Sequence, residues 1–231
     1  MTSPTSPTNS TSPTGTAGTR SPLPDPYRPA EAARVGRFIA VEGISGSGKS
    51  TVVGILGRML PARTLHVIPP PLSRLADHVN AHARPLVQAV FYCAGVLHAS
   101  DSVRAALATG HVVTDRYVNS VLVNHAAVND VDERVAAALL EPWRDYLAVP
   151  DVTVYLDIAE DELLRRMTTR PDLSDSDRML LKDRRLLRRV LRAYREHAVT
   201  DPTGCRLDVD GRKPEDLARS IAALAGVRCA D

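Results

Sequence analysis

The segment Phe38-Ile39-Ala40-Val41-Glu42-Gly43-Ile44-Ser45-Gly46-Ser47-Gly48-Lys49-Ser50-Thr51 constrains the fold more than any other stretch of this chain. A short β-prone apolar run opens into a glycine-rich turn and then into a helix-like segment, Val52 to Leu60, stopped by Pro61. Gly43, four intervening residues and Gly48-Lys49-Ser50 fit the P-loop pattern G-x-x-x-x-G-K-[ST]. The glycines let the backbone curl and present its N–H groups to an anionic phosphate, and the helix N-terminus adds its positive end. Lys49 is a flexible point charge able to follow a transferred phosphoryl group, and the Ser50 hydroxyl can ligate Mg²⁺. Lysine is scarce here: only Lys49, Lys182 and Lys213 among 29 basic residues. Its presence in the loop is therefore not a compositional accident. Residues Gly43, Ser45, Gly46, Ser47, Gly48, Lys49, Ser50 and Thr51 are expected to hold a nucleoside triphosphate.

A chain of 231 residues suits one α/β domain plus a tail. Residues 1–33 are Ser, Thr, Pro and Gly with little to bury, which reads as a disordered tail, and residues 34–231 as the folded domain. A net charge of +2 is too small to argue for a nucleic-acid or membrane partner. Cys93, Cys205 and Cys229 are odd in number and lack metal-ligand spacing, so reduced thiols in a cytoplasmic protein are expected. No apolar run approaches the ~18 residues of a membrane span, and the N-terminus lacks the pattern of a secretory signal.

Further along, Thr64 to Ile68 reads as a strand ending in Pro69-Pro70-Pro71, a rigid turn that admits a cis bond. Helical spacing covers Leu72 to Asn80 and Arg84 to Thr109. Val112-Val113 is a buried strand that leads into Asp115-Arg116-Tyr117. A carboxylate at such a strand end can hold Mg²⁺ or orient an acceptor, or else cap the next helix; Arg116 can clamp a phosphate with its planar fork. Val118 to Val128 and Val131 to Leu147 look helical, 150–157 is a β-branched strand, and a helix begins at Asp161 and runs to Thr169. The polar stretch from Arg170 to Arg178 reads as a mobile lid bracketed by Arg165, Arg166, Arg170 and Arg178, which can close over phosphates. One helix is expected from Met179 to His197, with Arg184, Arg185, Arg188, Arg189, Arg192 and Arg195 on a solvated face rather than a nucleic-acid surface. A strand at Arg206 to Val209 and a helix at Pro214 to Ala225 complete five β segments with helices between them, a parallel three-layer α/β sheet.

With these residues in place, the chain resembles the thymidylate kinase family of nucleoside monophosphate kinases. The matching pieces run in family order across nearly all of 37–226: the glycine loop with Glu42-Gly43, the helix from Phe91 to His98, Asp115-Arg116-Tyr117 followed by Ser120, the 150–157 strand, Arg166-x-x-x-Arg170, Asp177-Arg178 and 207–210. The resemblance implies a P-loop NTPase fold, with a five-stranded parallel sheet flanked by helices and a helical lid. It also implies ATP and Mg²⁺ as donor and cofactor, a pyrimidine deoxynucleotide as acceptor, and commonly a homodimer. Phe91 matches the phenylalanine that stacks on the thymine ring, and Arg116 the arginine that holds the acceptor phosphate, with Asp115 as its acidic neighbour. Glu42, Tyr117 and His125 fall with them as substrate-side positions. The loop interior carries no arginine, so the cation for the transition state is expected from Arg166, Arg170 or Arg178. Three positions depart from the family: Ser45 stands where a loop acid is usual, Gly95 where an arginine reads the base, and His125 where a glutamine follows Asp115-Arg116. Ile68-Pro69-Pro70 also replaces an arginine-glutamate-proline.

The resulting expectation is a dTMP kinase, or a kinase of a related nucleotide. Lys49 and the loop amides hold the donor, Ser50 and Asp115 the metal, and Arg116 the acceptor. The alternatives are a kinase of a nucleoside or another small metabolite on the same fold, and a non-catalytic nucleotide-binding module.

Overall fold

A computed structural model describes residues 28–29 and 33–227. Apart from residues 28, 29 and 33, the expected disordered tail lies outside them. The elements are β1 (Phe38–Glu42), α1 (Lys49–Met59), β2 (Arg63–His66), α2 (Ala76–His82), α3 (Pro85–Leu107), β3 (Val112–Asp115), α4 (Val118–Asn129), α5 (Glu133–Leu140), β4 (Val152–Asp157), α6 (Glu160–Thr169), α7 (Asp175–Lys182), α8 (Arg184–Thr200), β5 (Gly204–Asp208) and α9 (Pro214–Leu224). All strand pairings are parallel, in the order β2-β3-β1-β4-β5. The strand carrying the glycine loop is central.

Because both faces of a parallel sheet are covered, β1 is apolar without alternation and wholly buried. Phe38 and Ala40 pack with Val96, Ala99 and Val103 of α3 on one face. Ile39 and Val41 pack with Val52 and Leu56 of α1 and with α8 and α9 on the other. Each such large side chain contributes about 1.5–3 kcal/mol. The register sets Ala40 opposite Thr114 and Val41 opposite Asp115, so the end of β1 and Asp115 open onto the same edge. Ligands bind at that carboxyl edge in open parallel sheets.

Four expectations need correction. The helix expected from Val131 to Leu147 stops at Leu140, and a 3₁₀ segment with Pro142 at its start replaces the rest. The lid loop is shorter than its composition suggests. Ser174 and Asp177 form a reciprocal capping box, so α7 begins at Asp175, inside the expected loop. The single helix from Met179 to His197 is two helices broken at Asp183, whose carboxylate accepts from the Arg185 and Leu186 amides at 2.8 and 3.1 Å and starts α8 afresh. Finally, α3 is 23 residues and, by length and composition, apolar enough to cross a bilayer. Here Ala89, Cys93, Val96, Ala99 and Val103 of α3 are buried in the domain core. The peptide between Pro70 and Pro71 is cis.

The arginine face of α8 is not simply solvated. Arg184 and Arg188 pair with Glu160 of α6, Arg189 with Asp130 after α4, and Arg195 with Asp157 at the end of β4. These cations hold α8 to its neighbours.

Candidate active site

The glycine loop joins β1 to α1 through three backbone turns that only glycine adopts freely: Gly43, Gly46 and Gly48 have φ of 139°, 87° and 99°. Gly46 is also sterically pinned, since a Cβ there would lie 2.8 Å from Leu163 and 3.0 Å from Met167 of α6. The helix that carries the lid thus lies directly against the loop.

Lys49 opens α1, is 4% exposed, and donates to the Ile44 carbonyl at 2.7 Å. Burial pulls its pKa down to about 7, helped by the nearby Arg116, against the pull of Asp115, Glu42 and Asp177. An anionic phosphate beside it acts in the opposite sense and favours the ammonium. One residue on, the Ser50 hydroxyl donates to Asp115 Oδ2 at 2.5 Å, bridging α1 to the end of β3. The other oxygen, Asp115 Oδ1, is buried without a hydrogen-bond partner. Thr51 is exposed in the first turn of α1.

Arg116 follows with a left-handed φ of 70°. Its Nη1 donates to the Gly43 carbonyl at 3.3 Å, to Ser120 Oγ at 3.2 Å and to Tyr194 Oη at 3.3 Å. Beneath it, Glu42 is fully buried. Its Oε1 accepts from the Tyr117 and Ser120 amides at 2.9 and 3.1 Å, and its Oε2 from the Ser120 hydroxyl. Burial raises its pKa, opposed by Ser120, Arg116 and the backbone. Glu42 therefore caps α4 from below, its hydrogen bonds going to Tyr117 and Ser120. Tyr117, expected on the substrate side, is 3% exposed, bonded through its hydroxyl to Ser100 at 2.5 Å and set edge-on to Phe38.

His125 lies two turns along α4 and pairs with Asn129 of its own helix, at 3.3 Å from Nδ1. None of its hydrogen bonds reaches the loop or Arg116. Phe91 is half-buried on α3, edge-on to Tyr92 with ring centroids 5.5 Å apart.

The lid arginines divide. Arg166 is held by Glu162 at 2.6 Å and reaches the Ser47 carbonyl of the loop at 3.4 Å. Arg170 stands 3.8 Å from Asp177, while Arg178 is exposed and 3.8 Å from Asp175 of its own helix. On the strand side, His66 of β2 is in register with Asp115, and its Nδ1 accepts from the Ile68 amide at 3.3 Å. Burial lowers its pKa, against the pull of Asp115. His66, Tyr194 and Ser120 were not singled out as site residues from sequence. Ser120 alone carried a signal, as part of the motif after Arg116; the other two needed strand register and helix packing.

Where the family pattern has two polar groups, Gly95 and Ile68 touch: a Cβ on Gly95 would stand 3.3 and 3.4 Å from the two γ carbons of Ile68.

Comparison with known proteins agrees with this geometry. The profile of the thymidylate kinase family matches residues 41–221. The chain is 30% identical over 208 residues to thymidylate kinase of Rhizorhabdus wittichii, covering 82% of this chain and 97% of that one. It is 31% identical to the enzyme of Nitrobacter winogradskyi, covering 85% and 91%. The fold is similar to the solved thymidylate kinase of Candida albicans, with a TM-score of 0.66 at 20% identity over 83% of this chain and 91% of that one. With the loop, the Asp115-Arg116 strand end and the lid all inside the matched span, the chain belongs to the thymidylate kinase family, whose phosphate donor is ATP.

Proposed function

We propose that this chain transfers the γ-phosphoryl group of ATP to dTMP, giving ADP and dTDP. The observation that carries the reading is the Ser50–Asp115 contact. It joins the donor loop to the strand end where Arg116 stands, so donor and acceptor phosphates meet in one volume.

The loop amides and Lys49 hold the donor phosphates, and Arg116 orients the acceptor phosphate. Arg166, already on the loop, supplies the cation for the equatorial oxygens, with Arg170 next to it in the lid; Arg178 is left outside. Positioning and charge carry the catalysis, with no covalent intermediate. Ser50 and Asp115 suit a hard cation. A hydroxyl, a carboxylate with one buried unpartnered oxygen and, among the described residues, no larger His/Cys/Asp/Glu cluster fit Mg²⁺ that keeps several waters. Bound there, Mg²⁺ would neutralise charge on the donor phosphates.

Residues 34–231 form the kinase domain in this reading, and the thiols are those of a cytoplasmic protein. No nucleic-acid partner is proposed, since Arg184, Arg188, Arg189 and Arg195 of α8 pair with acids of the domain itself. A homodimer is proposed through α3, whose Leu86, Val87 and Val90 are 62%, 57% and 54% exposed. The test is ADP release across dTMP, dUMP, other monophosphates, thymidine and no acceptor. Fastest turnover on dTMP supports the reading, and turnover on thymidine but not dTMP overturns it. A different acceptor, nucleoside or small metabolite, is kept in the panel for one reason: the Gly95–Ile68 contact offers a base edge no hydrogen bond.

A further inference from the structure

The lid carries one buried carboxylate that capping does not explain. Asp177 is 3% exposed in the first turn of α7. Its Oδ2 accepts from the Ser174 amide at 3.1 Å, while its own amide donates to the Ser174 hydroxyl at 3.1 Å. That completes the capping box with a single oxygen, a task an uncharged side chain performs as well. The second oxygen, Oδ1, is buried without a hydrogen-bond partner. An unpartnered buried carboxylate oxygen is costly, so a residue that keeps one has a further use.

One group of the glycine loop, the Ser45 hydroxyl, faces this carboxylate across the lid boundary. Burial pushes the Asp177 pKa up, but the Ser45 hydroxyl, Ser174 and then Arg170 outweigh it and hold it below the usual range. On its other side, Arg170 Nη1 lies 3.8 Å from Oδ2, with Asp172 as that arginine's second acid at 3.5 Å. Asp177 thus faces Arg170 of the lid through Oδ2 and keeps Oδ1 unpartnered on the side of Ser45.

We propose that Asp177 is a positioning residue that couples the lid to the donor loop, aiming Arg170 at the donor phosphates and letting loop and lid close as one unit. The inference rests on the kinase reading above and deepens it. Asp177 touches no reacting atom in this scheme; it acts through Arg170 and Ser45. A carboxylate suits this task because Oδ2 can face the Arg170 guanidinium while Oδ1, unpartnered here, is left to accept the Ser45 hydroxyl as loop and lid close.

The test compares Asp177→Asn, which keeps a capping oxygen and loses the charge, with Ser174→Ala, which breaks the capping box and keeps the charge. Both are made in the full chain, alongside Arg170→Ala and the Asp177→Asn/Arg170→Ala pair. Steady-state kinetics with dTMP is one readout. Hydrogen exchange of residues 170–182, with and without Mg²⁺ and a non-hydrolysable ATP analogue, is the other. For Asp177→Asn the expectation is a fall in kcat of about 10- to 100-fold with an unchanged KM for dTMP, and loss of the protection that the analogue confers on the lid. The double variant should be no slower than Arg170→Ala, because the two act as one unit. Ser174→Ala should lower the melting temperature and keep most of kcat. Wild-type kcat and protection in Asp177→Asn would overturn the proposal, as would the Ser174→Ala phenotype in that variant or additive effects in the double variant. If no acceptor is turned over, the kinase reading fails, while the exchange readout, which needs only the donor, still decides the coupling. A wild-type chain that does not bind the analogue overturns both.

Discussion

Glu42 Oε1 accepts from the backbone of both Tyr117 and Ser120, at 2.9 and 3.1 Å, so the end of β1 is tied to the first turn of α4 with Arg116 at the junction. Glu42→Ala would leave two buried N–H groups unpaired, each costing about 1–3 kcal/mol. Chemical denaturation should therefore show a loss of about 2–6 kcal/mol, and the KM for the acceptor should rise as Arg116 loosens. Glu42→Gln keeps a carbonyl acceptor and should lose clearly less.

The two outer lid arginines should separate in kinetics. Arg166 already lies on the Ser47 carbonyl, whereas Arg178 is exposed beside Asp175. Arg166→Ala should lower kcat on the order of 10³-fold or more, the scale of a transition-state arginine. Arg178→Ala should leave kcat close to wild type. Equal losses in the two variants would refute the assignment.

Chelation of divalent cations with EDTA should abolish transfer, and added Mg²⁺ should restore it. Ser50→Ala removes the hydroxyl that bridges α1 to Asp115. In that variant the Mg²⁺ concentration for half-maximal rate should rise about 10- to 100-fold, the usual cost of disturbing the surroundings of a metal site. Unchanged Mg²⁺ dependence would exclude Ser50 from the metal site.

His197 of α8 lies 2.5 Å from Glu133 of α5, and its ring stacks on Tyr155 of β4 with centroids 6.5 Å apart. Burial works against the imidazolium, but Glu133, with Glu42 and Asp201 behind it, outweighs burial and raises the pKa. A raised folded value means the contribution is complete below the unfolded value of about 6.5 and is lost as pH rises through the folded value. Wild type should therefore exceed His197→Gln in stability by more at about pH 5.5 than at about pH 8.5, the difference being about 1 kcal/mol because Glu133 is partly solvated. Urea melts at the two pH values measure it.

Much of the frame was legible in the sequence, because β-branched runs and breaker residues mark parallel strands independently of their partners. The glycine loop, the Asp115-Arg116 strand end and the strand at 152–157 are of this kind. What was hidden depends on partners distant in sequence. Tyr117 follows Arg116 and looks like part of the site, yet the fold turns its ring onto Phe38 and its hydroxyl onto Ser100. His66 sits in an unremarkable strand and gains its place beside Asp115 only through register. Asp183 reads as one more charge on a basic helix, and only its two amide contacts show that a new helix begins there.

Arg116 is held at a φ of 70°, which an ordinary loop residue would escape by rotating its flanking peptides. A non-glycine residue there stores about 1–3 kcal/mol. Relaxation would withdraw the Tyr117 amide from Glu42 and leave a buried carboxylate short of a donor, so the strain has no cheap exit. The backbone thus fixes where the side chain leaves the strand, and Gly43, Ser120 and Tyr194 hold its guanidinium. An incoming phosphate meets a cation whose search is already over, and little of its binding energy goes to freezing an arginine.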